Sequence, residues 1–208
     1  YIATPMDAGG AAISSDLYVV LSGVKTKVYS STHDITWVKI MPDNNMYFQV
    51  QDKFTIMKYD VTSKISSTHF QQETEDKLND GAPELVEVNG EVFAAYKGAN
   101  ATSGGSLFKV YPTVSGVDIA HFEAAKALNG KLILQKENSI VSMEPTTVAL
   151  SDLVTGVSIV DFSVSTPDNT LMISSVKDGK DTLIIKNLTT SETTEKSLDA
   201  KLSNLQSL

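Results

Sequence analysis

Apolar and polar residues alternate along this chain in short bursts of about strand length, each closed by a cluster of turn-forming residues. Such runs occur at Leu17 to Ser22, Lys25 to Ser30, Ile35 to Met41, Met46 to Val50, Phe54 to Tyr59, Leu85 to Val88, Val92 to Tyr96 and Ser106 to Tyr111. Further runs follow at Lys131 to Gln135, Ser139 to Glu144, Val157 to Ser163, Thr170 to Val176 and Thr182 to Asn187. Their β-branched and aromatic content suits pleated, half-buried backbone. Pro42-Asp43-Asn44, Asn89-Gly90, Asn129-Gly130, Pro167-Asp168-Asn169 and Asp178-Gly179 punctuate them, and these residue types favour tight hairpins. A 3.6-residue apolar stripe is nearly absent. Its best instances are Ala120 to Leu128 and the stretch Glu192 to Leu208, where Leu198, Leu202, Leu205 and Leu208 share one side of a helix that Ser197 or Thr194 caps. The pattern predicts an all-β antiparallel domain over residues 1–191 and a C-terminal tail, 192–208, with helical spacing; a frayed tail is the equal alternative.

The turns recur at an interval of roughly 40 to 45 residues. Asp43, Asn89, Asn129 and Asp168 are separated by 46, 40 and 39 residues, the length of one four-stranded propeller blade. Two stretches superpose with a single two-residue insertion. One runs from Ile35 through Trp37, Pro42-Asp43-Asn44, Met46 to Val50, Asp52-Lys53 and Phe54 to Tyr59, and leaves through Val61-Thr62-Ser63. The other runs from Val160 through Phe162, Pro167-Asp168-Asn169, Thr170 to Val176, Asp178 to Asp181 and Thr182 to Lys186, and leaves through Leu188-Thr189-Thr190. This order of strand, Pro-Asp-Asn turn, strand, Asp-containing turn and strand resembles a divergent WD-repeat β-propeller. Tyr59-Asp60 and Lys186-Asn187 stand where that family carries Trp-Asp, and no Gly-His pair is present. The resemblance covers about residues 13–195 and implies one partial blade followed by about four more, belonging to a small ring or to part of a longer propeller. It implies architecture and no activity. An irregular β-sandwich is the structural alternative, since it shares the alternation and turns but not the period.

Length, composition and charge narrow the function. With 208 residues the chain has ample material for a core, and no apolar run is long enough to cross a membrane as a helix. There is no cysteine, so disulfides, cysteine-held zinc and thiol nucleophiles are out. All 17 basic residues are lysine, against 25 acidic ones, for a net charge of -8. Without arginine the bidentate readout of guanine and phosphate is lost, so no direct nucleic-acid partner is expected. An acidic surface without a polybasic cluster also argues against a membrane partner. The chain opens at Tyr1 without a leader-like pattern and reads as a fragment or a processed form.

A search for chemistry returns no marked catalytic, cofactor or metal site. His33, His69 and His121 are far apart and form no metal-binding pair. Ser103 lacks the glycine two before it and Ser106 the glycine two after it that a nucleophile elbow needs, and Gly98 to Gly105 is not followed by the Lys-Ser/Thr of a phosphate loop. The acidic runs Glu73-Thr74-Glu75-Asp76 with Asp80, and Asp178 to Asp181, lack the ligand spacing of a calcium loop. Asn100-Ala101-Thr102 and Asn187-Leu188-Thr189 match the glycosylation triplet, at a frequency chance explains in so Ser/Thr/Asn-rich a chain. The aromatics, among them Trp37, Phe48, Phe93 and Phe162, lie in strand runs and read as core, with some apolar groups left for a rim. Together these features predict a non-enzymatic protein-interaction scaffold without a cofactor, binding other proteins through its rims and the tail leucines Leu198, Leu202, Leu205 and Leu208. The alternative is a secreted or virion-surface β module that recognises a carbohydrate or receptor.

Overall fold

The computed structural model describes residues 1–6, 8–10, 12–51, 55–71, 84–96, 106–117 and 122–198. Among them every regular element is a β-strand and every pairing is antiparallel. The strands form five sheets in chain order, and the chain divides into two compact units, Tyr1–Leu78 and Asn79–Leu208. This is the blade-like series that the turn period predicts, not the two face-packed sheets of a sandwich.

The first unit holds a three-stranded sheet, β1 (Ile2–Ala3), β2 (Ser15–Leu21) and β3 (Val24–Ser31), and a four-stranded sheet, β4 (Ile35–Ile40), β5 (Met46–Val50), β6 (Thr55–Asp60) and β7 (Ile65–Phe70). Leu17 of β2 shares one buried cluster with Ile35, Met46, Phe48, Val50 and Met57 of the second sheet, and the Tyr29 and Phe48 rings lie 5.0 Å apart. Period-two alternation produces this layer, because alternate residues of β2 face the same way.

The second unit holds three four-stranded sheets. The first comprises β8 (Glu84–Val88), β9 (Glu91–Tyr96), β10 (Ser106–Tyr111) and β11 (Ser115–Val117). The next comprises β12 (Ala124–Leu128), β13 (Lys131–Lys136), β14 (Ser139–Met143) and β15 (Leu150–Thr155), and the last β16 (Ser158–Ser165), β17 (Thr170–Lys177), β18 (Lys180–Asn187) and β19 (Thr193–Ser197). The middle sheet is apolar on both faces. Leu132 and Leu134 of β13 pack toward Phe93 and Leu107, whereas Ile133 between them packs toward Phe162, Ile173 and Ile184. All three are at most 1 % exposed, which explains why their run is continuous rather than alternating.

The helix expected from Ala120 to Leu128 is corrected: Ala124–Leu128 is strand β12, paired residue by residue with β13. Residues 120 and 121 lie outside the described residues. Alanine's helix preference is worth a few tenths of a kcal/mol per residue, less than the sheet contacts and the hairpin gained here. Asn129 at φ 46° and Gly130 at φ 80° form the turn that folds the segment back. Residues Thr193–Ser197 form the outer strand β19, paired with β18, where helical spacing is expected from Glu192 onward. Leu198 follows it, its N–H donating to the Asp181 carbonyl at 2.8 Å. Leu202, Leu205 and Leu208 lie outside the described residues.

Candidate functional site

The turns between the first and second strands of the four four-stranded sheets differ in length but share one feature. An asparagine occupies the left-handed region at Asn44 (φ 61°), Asn89 (φ 51°), Asn129 (φ 46°) and Asn169 (φ 48°), spaced by 45, 40 and 40 residues. Asparagine tolerates this conformation better than most side chains. The turn between third and fourth strands also repeats. Asp60, Glu144 and Asn187 open five-residue turns that end on Lys64, Val148 and Ser191, at φ 60°, 60° and 63°. Asp60 Oδ1 accepts the N–H groups of Thr62 and Ser63, and Asn187 Oδ1 accepts those of Thr189 and Thr190. The Ser63 N–H, foremost among these donors, holds the Asp60 carboxyl below its ordinary pKa. The Trp-Asp-like positions are thus turn caps.

In the second unit these turns are stitched from sheet to sheet. Asn89 Nδ2 donates to the Gly130 carbonyl at 2.9 Å, and Asn129 Nδ2 donates to Asn169 Oδ1 at 2.8 Å. Asn169 Nδ2 in turn donates to Thr189 Oγ1 at 2.8 Å, and its carbonyl accepts the Leu188 N–H at 2.9 Å. Beneath the Asn129–Asn169 bridge lies a groove of about 250 Å³ between the sheets β12–β15 and β16–β19. It is lined by the buried Leu128 and Ile133, the half-buried Leu153 and Leu188, and the polar Asn129, Lys131, Ser142 and Asn169. The Lys186 ammonium crosses from β18 to the Leu153 carbonyl at 2.6 Å. Lys131 makes a 3.7 Å contact with Glu144, both side chains being about half exposed.

A second polar cluster lies in the first unit. Asp16, only 3 % exposed, accepts hydrogen bonds from Ser14, Tyr18, Lys27 and Ser30. The Ser30 hydroxyl, with Lys27 and Ser14, overcomes the opposing effect of burial and holds the Asp16 carboxyl at a pKa of about 2. Every partner there is a satisfied donor, so the cluster serves the sheet.

The residues weighed in the sequence are scattered. His33 is exposed, its backbone N–H on Ser31 Oγ, and His69 lies within β7, not outside the strands as its surroundings suggest, edge-on to Tyr47 at 4.9 Å. Asp178 and Gly179 form a hairpin turn at φ 52° and 74°. Ser106 opens β10. His121, Ser103, Asn100, Glu73 to Asp80 and Gly98 to Gly105 lie outside the described residues. The groove itself was missed. Asn129 and Asn169 read only as turn residues, Leu153 sits in a segment with no strand signal, and the recurrence of asparagine every 40 residues is the trace that leads to it.

No family model and no curated protein matches the sequence. Similar solved structures exist, among them a streptogramin B lyase, 14 % identical with a TM-score of 0.52, matched over 90 % of this chain and 62 % of its own. Virginiamycin B lyase from Staphylococcus aureus is 12 % identical with a TM-score of 0.51, over 95 % of this chain and 69 % of its own. The chain therefore spans less than two thirds of the first of these. Both similarities show a propeller-like fold; the resemblance to WD repeats goes no further than that architecture. They also overturn the expectation that the chain is not an enzyme. A framework of this kind carries lyases, and because loops from separate blades can converge in space, a failed motif search along the sequence does not exclude catalysis.

Proposed function

We propose that this chain is a protein-interaction module and that a partner binds at the turn end of the second unit, in the groove between β12–β15 and β16–β19. One observation carries the reading: a groove lined by four aliphatic side chains and four polar ones, two of which are joined by a side-chain amide bridge between two sheets. Such a trough offers a desolvated anchor point surrounded by hydrogen-bonding groups, the arrangement of an interface hot spot. The propeller-like fold supports it by presenting turns from successive sheets along one end. Leu188→Lys places a charge on the groove wall, and Lys180→Glu changes charge at the opposite end of the last sheet. A binding partner isolated with the wild-type chain should be lost with Leu188→Lys and kept with Lys180→Glu, with both variants retaining the wild-type circular dichroism spectrum. Retention by both variants, or loss with Lys180→Glu alone, would overturn the reading.

A further inference from the structure

We propose that the groove takes one aliphatic side chain from an extended segment of the partner, together with a carboxylate that Lys131 receives. This rests on the reading of the groove as the partner's seat and adds what it selects. Size decides against a whole cofactor or drug-sized ligand, because sites for those begin at about 300 Å³ and run several times larger, whereas this groove is about 250 Å³. Its four apolar lining residues, Leu128, Ile133, Leu153 and Leu188, are all aliphatic, so an aliphatic side chain fits within it among like groups and leaves room beside it for a polar one.

Charge selects the second element. The chain as a whole is acidic, with a net charge of -8, and yet no acidic residue lines the groove while Lys131 does. The Lys186 ammonium is already committed to the Leu153 carbonyl at 2.6 Å, leaving Lys131 as the adaptable cation of the pair. Its contact with Glu144 spans 3.7 Å between half-exposed groups, too long for a hydrogen bond and weak in water. A partner's carboxylate arriving beside the trough meets an ammonium that gives up little to turn toward it. The carboxylate can be the C-terminus of the aliphatic residue or an adjacent Asp or Glu, and the chemistry at Lys131 is the same.

The test is a titration of the ¹⁵N-labelled chain with three short probes: acetyl-Gly-Leu bearing a free carboxylate, acetyl-Gly-Leu-amide, and acetyl-Leu-Asp-amide. Amide signals of Asn129, Lys131, Ser142 and Leu188 should move at millimolar concentrations of the first. The uncharged amide should bind about 1.5-fold to fivefold more weakly, the range of one exposed ion pair. Equal binding of the first and third probes identifies a side-chain carboxylate as sufficient, and preference for the first identifies a terminal one. Lys131→Gln should abolish the preference for either acid, and Lys180→Gln should leave it intact. Absence of groove shifts up to about 10 mM, or equal affinity with and without the carboxylate, would overturn the inference. If Leu188→Lys releases the partner while these probes show no carboxylate preference, the inference alone falls; if Leu188→Lys releases nothing, the interaction reading falls with it.

Discussion

Asn129 and Asn169, forty residues apart and in equivalent turns of successive sheets, share a 2.8 Å side-chain hydrogen bond from Nδ2 to Oδ1. The bond turns a repeat in sequence into a link in space, and both residues line the groove. Asn129→Ala and Asn169→Ala should each lower stability by about 1–3 kcal/mol, from the lost hydrogen bond and from the left-handed backbone that alanine adopts less readily. Removing both should cost less than the sum of the two, as urea denaturation of the single and double variants would show. Additive losses would mean the bridge carries no energy.

Gly130 allows a sharper contrast. Its φ is +80°, and a Cβ there would sit 2.9 Å from the Asn89 side-chain amide, whereas Gly90, at φ +75°, has nothing within 4 Å. Gly90→Ala should cost about 1 kcal/mol for the left-handed backbone alone. Gly130→Ala should cost more, because Asn89 must also move and release the Gly130 carbonyl. In an Asn89→Ala background the two glycine substitutions should become equal. A persistent difference there would place the strain elsewhere.

Much of the fold was legible. Met46–Val50 and Ser106–Tyr111 have in the structure the bounds their patterns predict, and the paired units around Pro42 and Pro167 do form corresponding hairpins. What escaped were outer strands such as β7 (ISSTHF), β15 (LSDLVT) and β19 (TTEKS). They are held by one neighbour and bury few side chains, so no apolar periodicity marks them. β12 escaped for the opposite reason: its alanines suit a helix, and only the partner sheets make them strand. Of the site, the turn asparagines were visible and their bond was not, because a hydrogen bond between residues 40 positions apart leaves no local trace.

The core between the last two sheets should respond to truncation according to burial. Phe162, fully buried among Leu128, Ile173 and Ile184, should cost about 3–5 kcal/mol as Phe162→Ala. Val160, two residues earlier and 58 % exposed, should change stability by no more than about 0.5 kcal/mol as Val160→Ala. Equal losses in thermal or urea unfolding would contradict the placement of β16.

Acid should weaken the first unit through Asp16. Its carboxyl has a pKa of about 2 in the folded chain, below the ordinary 3.8, so its contribution is complete above about pH 5 and drains away as pH falls through 3.8 toward and past 2. Urea midpoints measured from pH 5 to pH 2 should fall more steeply for the wild type than for Asp16→Asn, which has no charge to lose. Parallel curves would show that the donors around Asp16 favour neither protonation state.

Site-specific photo-cross-linking tests the central claim most directly. A benzophenone side chain placed at Thr189, beside the Asn169 amide, should join the partner covalently, and one placed at Lys180, at the opposite end of the last sheet, should not. Cross-links from Lys180 with none from Thr189 would contradict the assignment of the binding surface to the asparagine-bridged end.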